Sequence, residues 1–285
     1  MQSGLILNLL LPISLGIIML GLGLSLTLAD FARVVRYPKA VVIGLTMQML
    51  VLTGAAFLIC VVFKLPPELA VGVMLLAAAP GGATANIYSH LARGDVALNI
   101  TLTAINSALS LLTLPFIIGF ALQYFMASDQ YVPPPFKKII EVGLIILLPV
   151  ILGMTVRNRA PAFAAKMEKP IRIFSVLLLA LLIVATVAQS WEVLVTYFPI
   201  VGLACLTFNL LSMAVGYSIP LAVKLPQKQA IAIAMEIGIH NGTLAIFIAL
   251  NVLNSPAMSV PAAIYSLIMF VTAGIFAWWL NRRHQ

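Results

Sequence analysis

Charge is what this chain has least of. Only 8% of its 285 residues are Asp, Glu, Lys or Arg, against about 25% in soluble domains, and that shortage excludes a soluble globular fold. Cysteine is nearly absent. Cys60 and Cys205 lie far apart inside apolar runs, which excludes a disulfide framework and reads as two buried free thiols. There is no phosphate-binding glycine loop, no Cys-x-x-Cys pair and no nucleophile elbow. Acidic residues number eight, and seven of them fall in loops or near the ends of apolar runs. The net charge of +8 is no sign of nucleic-acid binding, because the basic residues punctuate short loops between apolar segments.

What is present is apolar. Hydrophobic residues make up 62% of the chain, and the mean hydropathy is +1.13. Runs of spanning length, about 20 residues, predict helices over 4–28, 39–63, 67–92, 95–126, 137–156, 171–190, 195–223, 227–250 and 258–280. No basic residue precedes the first run, so it reads as a membrane helix and not a cleaved signal. The fourth run is long enough to be tilted or bent near Pro115. Pro133-Pro134-Pro135 marks a loop. The segment 157–170, with Phe163 and Met167 four apart among basic residues, reads as lying along the membrane surface. The expectation is an all-α polytopic membrane protein of about nine transmembrane helices in a lipid bilayer. Thirteen of the sixteen Lys and Arg residues fall on one side, the side of the C-terminus. That side is cytoplasmic by the positive-inside rule, which leaves the N-terminus outside.

The chain contains a repeat. Lys64-Leu-Pro and Lys224-Leu-Pro each open an apolar stretch, and Pro80-Gly81-Gly82 and His240-Asn241-Gly242 each begin 16 residues after the lysine. The preceding helices carry Gln48 and Asn209 at 16 and 15 residues before the lysine. Five helices separate the two loops, so the copies enter the membrane from opposite faces. Inverted-topology repeats, each with a helix interrupted at mid-span, are a feature of secondary transporters. A break leaves carbonyls on the first half-helix and N–H groups on the second without partners. Carbonyl ends attract cations and N–H ends attract anions. Two discontinuous crossing helices therefore suit sodium together with an anion.

Glu236 lies mid-span beside the second break. A carboxylate there costs about 2.5–3.5 kcal/mol on insertion scales and is a functional candidate by default. Asn99, Thr103, Asn106 and Ser110 share one face of the fourth helix. Asn99 and Thr103 read as cation ligands, since oxygen donors suit a hard cation. Asn106 and Ser110 serve equally well as glue between helices. His240 has no second histidine or cysteine nearby in sequence with which to form a metal site.

These residues resemble the bile acid:sodium symporter family. The resemblance rests on Pro80-Gly81-Gly82 followed by Asn86, on the turn Leu91-Ala-Arg-Gly-Asp-Val-Ala-Leu98, and on Glu236-Ile-Gly-Ile-His-Asn241. It spans nearly the whole chain, in a bacterial-type form with nine helices. It implies a core domain of 37–127 and 194–281, in which the broken helices 67–92 and 227–250 cross. It also implies a panel domain of 1–30 and 137–190. A first sodium site would use Asn86, Asn99, Thr103 and Glu236. A second would use Gln48, Glu236, the carbonyls of Ile237 and Ile239, and the side chain of His240. A small organic anion would bind around Ala83, Thr84, Asn241 and Gly242. The implied activity is sodium-coupled symport by alternating access in a bacterial inner membrane, with sodium as coupling ion, no other cofactor and no catalysis.

Two residues depart from the family pattern. Ala85 stands where Ser is usual, and Asn99, where Ser is usual, offers a replacement oxygen. His240 stands where Gln is usual, which predicts one robust sodium site and one that is weak, altered or proton-sensitive. A sodium/proton antiporter using Glu236 and His240 is the alternative function. An intramembrane enzyme would need a second catalytic group at the depth of Glu236.

Overall fold

The computed structural model describes residues 2–82, 84–126, 136–189 and 191–282. Apart from one isolated bridge, the regular structure of these residues is helical. This is an all-α polytopic membrane protein. The helices fall into nine groups among the described residues, in the expected order. The first is α1 (Gln2–Ser25), which continues past a bend into α2 (Leu28–Ala32). The second joins α3 (Pro38–Thr46) to α4 (Leu52–Val62) through a π-helical turn at Met47–Val51. The third is the pair α5 (Pro67–Ala78) and α6 (Thr84–Leu91). Then come α7 (Val96–Phe125), α8 (Phe136–Arg159), α9 (Pro161–Gln189) and α10 (Trp191–Ala222). The second broken pair is α11 (Gln227–Gly238) and α12 (Gly242–Asn251), and α13 (Pro256–Arg282) closes the chain. Among the described residues, Pro38–Val62, Trp191–Ala222 and Pro256–Arg282 are each long and apolar enough to cross a membrane unaided. Two further spans are bent pairs: 15–25 with 28–35 at 69°, and 96–110 with 112–125 at 58°.

The bend in α7 has a local cause. Pro115 has no N–H to give the carbonyl of residue 111, and the helix turns at that point. The segment 157–170 differs from the sequence reading. It is not a separate surface helix, because α8 runs through Arg159 and α9 starts at Pro161 and carries straight on past Pro170. Proline at the first helical position is favourable, and an interior proline is tolerated in membrane helices. The loop with Pro133-Pro134-Pro135 lies outside the described residues.

The Lys-Leu-Pro motif folds the same way twice. Lys64 and Lys224 adopt left-handed backbone, with φ of 49° and 62°. Leu65 N–H reaches back to Cys60 O at 3.0 Å, and Leu225 N–H to Pro220 O at 2.9 Å. Both are Schellman helix stops, and the proline that follows prevents the helix from resuming before the next one begins. Each copy then starts beside the other's end. Asp95 N–H donates to Lys228 O at 2.8 Å, and Ser255 Oγ donates to Glu68 Oε1 at 3.0 Å. The two copies are therefore antiparallel, as counting the intervening helices predicts.

Small residues let the helices approach closely, which drives packing where lipid removes the hydrophobic contribution. A Cβ on Gly23 would lie 2.2 Å from Val150 O, and one on Gly153 would lie 2.4 Å from Leu20 O, so α1 and α8 touch backbone to backbone. A Cβ on Gly216 would lie 2.8 Å from the Cα of Ala234, which brings α10 onto α11.

Candidate functional site

The two helix breaks cross each other. Gly81 and His240 form an antiparallel bridge, in which Gly82 N–H donates to Ile239 O and Asn241 N–H donates to Pro80 O, both at 2.8 Å. Four backbone groups freed by the breaks thus satisfy one another at membrane depth. The half-helix ends on the carbonyl side are capped from the preceding helices, and the caps come from the matched pair in the repeat. Gln48 Nε2 donates to Ala77 O at 3.1 Å and Ala79 O at 3.2 Å. Asn209 Nδ2 donates to Gly238 O at 2.9 Å and to the Tyr265 hydroxyl at 3.0 Å. Tyr265 in turn donates to Gly238 O at 2.9 Å. Asn209 Oδ1 accepts from Thr272, so this amide is fully used. Gln48 Oε1 is buried and has no partner.

Glu236, on the last turns of α11, is wholly buried. Its Oε2 accepts from Thr103 Oγ1 at 2.6 Å, and its Oε1 accepts from Asn106 Nδ2 at 3.1 Å. Both donors are neutral. Its carboxylate lies against the first break so closely that a Cβ on Gly81 would fall 2.2 Å from Oε1. The side-chain oxygens Asn86 Oδ1, Asn99 Oδ1 and Asn106 Oδ1 are buried without partners. Asn99 has turned its nitrogen away, donating to Ala232 O at 2.7 Å. Buried polar atoms are nearly always partnered, and an open side-chain oxygen is what a hard cation would fill; that of Asn106 belongs to a residue already on the carboxylate.

The predicted residues divide into three sets. Thr103 and Glu236 are in direct contact. Asn86 and Asn99 each leave a buried oxygen open. Gln48, Ile239 and His240 are engaged with the crossing itself. Ile239 O already accepts Gly82 N–H. His240 Nδ1 is 3.2 Å from Ala79 O, and its ring lies between Phe208 and Tyr265, with centroids 5.6 and 5.4 Å away. Ile237 is fully buried. Asn106 is the residue that sequence reasoning undervalued, since it holds the carboxylate directly. No cluster of three or more His, Cys, Asp or Glu side chains suited to a metal occurs among the described residues.

Beside the crossing, a cavity of about 460 Å³ separates α1, α8 and α9 from the second half-helices. Thr84 and Asn86 of α6 line it with Asn241 and Gly242 at the start of α12, and His90 and Arg157 also lie on its wall. Asn241 caps α12, accepting Leu244 N–H at 3.0 Å. Gly242 sits so close to α13 that a Cβ would fall 2.0 Å from Ser266 Oγ. Among the described residues, no acidic side chain lines this cavity. Ala83 lies outside the described residues.

Against known proteins, a model described as the sodium bile acid symporter family matches residues 12–197. The chain belongs to the sodium bile acid symporter family. Among relatives in curated collections, the uncharacterized sodium-dependent transporter YocS of Bacillus subtilis is 29% identical, over 96% of this chain and 83% of its own length. The probable chloroplastic sodium/metabolite cotransporter BASS2 of rice is 26% identical, over 96% of this chain and 64% of its own. The mouse P3 protein is 31% identical over 79% of this chain, which spans only 47% of that relative. The family match ends at residue 197, but the similarity to YocS and to the rice protein takes in nearly the whole chain, the crossing included.

Proposed function

We propose that this protein is a sodium-coupled symporter of a small organic anion, working by alternating access. The observation that carries the reading is the wholly buried Glu236 carboxylate at the crossing of two broken helices, with only neutral donors on it, one of which, Asn106, keeps an open side-chain oxygen. Asn86, Asn99, Thr103 and Glu236 supply oxygen ligands for one sodium ion. The second expected set, Gln48, Ile237, Ile239 and His240 with Glu236, has less free valence, because Ile239 O and His240 Nδ1 already face partners in the crossing.

The anion binds in the cavity at the N-termini of α6 and α12, where Thr84, Asn241 and Gly242 line the wall. The positive ends of the two helix dipoles favour negative charge there. Sodium beside Glu236 offsets the carboxylate and orders both breaks, so each ligand raises the affinity for the other by the same factor. The packing of α1 on α8 and α9 supports a panel of 1–30 and 137–190 moving against a core of 37–127 and 194–281. The names of the relatives, sodium-dependent transporter and sodium/metabolite cotransporter, support sodium coupling. The distribution of Lys and Arg supports a cytoplasmic C-terminus in a bacterial inner membrane.

Uptake into proteoliposomes tests the reading. Anion uptake driven by an inward sodium gradient is expected in wild type and absent in Glu236→Gln, which still folds. Wild-type uptake by Glu236→Gln would refute the role of the carboxylate. Sodium-driven proton flux with no organic anion would favour an antiporter.

A further inference from the structure

The large cavity beside the crossing is positive at both ends. At one end stand the N-termini of α6 and α12, with Thr84, Asn241 and Gly242. At the other stand Arg157, in the last turn of α8, and His90, in the last turn of α6. The chain path puts these two side chains together. Two spans, α7 and α8, separate the turn after His90 from the turn after Arg157, so both turns lie on one face of the membrane. The packing of α1 agrees. A Cβ on Gly16 would lie 3.8 Å from Pro149, and one on Gly153 would lie 2.4 Å from Leu20 O. The two helices therefore run parallel, and Arg157 stands one turn beyond Gly153, level with Leu24 and Ser25. From Thr84 to His90, α6 rises roughly 9 Å. Between the two ends the wall is apolar, with Met19, Leu22, Ile87 and Ile100.

Arg157 differs from the other basic residues of this turn. Arg159, Lys166 and Lys169 are exposed and do not line the cavity, whereas Arg157 is half-buried on its wall. Among the described residues no carboxylate pairs with Arg157, the one ion pair being that of Arg33 with Asp30. A guanidinium is always charged, and its planar fork of donors matches a carboxylate in two parallel hydrogen bonds.

Charge then sets the ligand. Each helix N-terminus carries about half an elementary charge, and Arg157 carries a whole one, about two positive charges along one cavity. A single carboxylate at the helix N-termini neutralises half of this and leaves the guanidinium without a partner.

We infer that the transported anion is a dicarboxylate with an apolar body. One carboxylate sits at the N-termini of α6 and α12, and the other, across the apolar stretch, is held by Arg157 with a further hydrogen bond from His90. Arg157 is thus a specificity residue. The inference rests on the reading of the chain as a symporter of a small organic anion.

Calorimetric titration of the purified protein in sodium tests it, with adipate, suberate and sebacate each set against its own monomethyl ester. Wild type is expected to bind at least one diacid about tenfold or more tighter than its ester, the worth of one charge-assisted hydrogen bond. Arg157→Gln is expected to erase that preference, and Arg157→Lys to keep part of it. Esters that bind wild type as tightly as the diacids would overturn the inference, and this comparison needs no variant to fold. So would a preference that survives in Arg157→Gln. A wild type that binds no diacid of the series would overturn it as well. In that case sodium-dependent binding of a monocarboxylate would leave the symport reading standing, and binding of no organic anion at all would remove that reading too.

Discussion

Replacing Gly81 by alanine probes the junction of the first break with the carboxylate. The new Cβ would lie 2.2 Å from Glu236 Oε1, 2.4 Å from Cδ and 2.7 Å from Oε2, and carbon cannot come that close. The carboxylate must move, which breaks its bonds to Thr103 and Asn106. Hydrogen bonds to a charged group are worth about 1.5–3 kcal/mol each. Losing both at the lower figure costs about 3 kcal/mol, or roughly a hundredfold in the affinity of an ion that uses this carboxylate. Two neighbouring glycines serve as controls. At Gly82 the nearest atom to a new Cβ is His240 O at 3.3 Å, and at Gly54 there is nothing within 4 Å. Sodium titrations of the melting temperature should show Gly81→Ala shifted by about two orders of magnitude, Gly82→Ala by far less and Gly54→Ala not at all. Wild-type sodium dependence in Gly81→Ala would refute the placement of the carboxylate.

Asn209→Ala leaves Gly238 O with only Tyr265 and removes the partner of Thr272. It should lower the melting temperature by the equivalent of about 1–3 kcal/mol with or without sodium, and a shift seen only in sodium would mean that Asn209 acts on the ion. Asn241→Ala removes the cap on α12, worth about 1 kcal/mol, and also a polar group on the cavity wall. Anion affinity should fall more than stability does, as measured by uptake KM against calorimetric melting, and an unchanged KM would move the anion away from α12.

Much of this was legible in the residues themselves. The two breaks were written in Pro80-Gly81-Gly82 and His240-Asn241-Gly242, and the spacing of Lys-Leu-Pro showed that they are copies. The same spacing paired Gln48 with Asn209, and the structure gives both the same task, capping the carbonyl end of a half-helix. Asn106 was not separable from an ordinary interhelical amide, because periodicity reports a face of α7 and not what faces it. The start of α9 was misread because basic residues beside Phe163 look amphipathic whether the helix lies on the membrane or enters it.

The most direct test of the central claim is a thermal-shift screen of the purified protein against small organic anions, in sodium and in potassium. Coupling through Glu236 predicts an anion that raises the melting temperature in sodium and not in potassium, an effect lost in Glu236→Gln. Equal stabilisation in the two salts, or a sodium effect that survives Glu236→Gln, would contradict it.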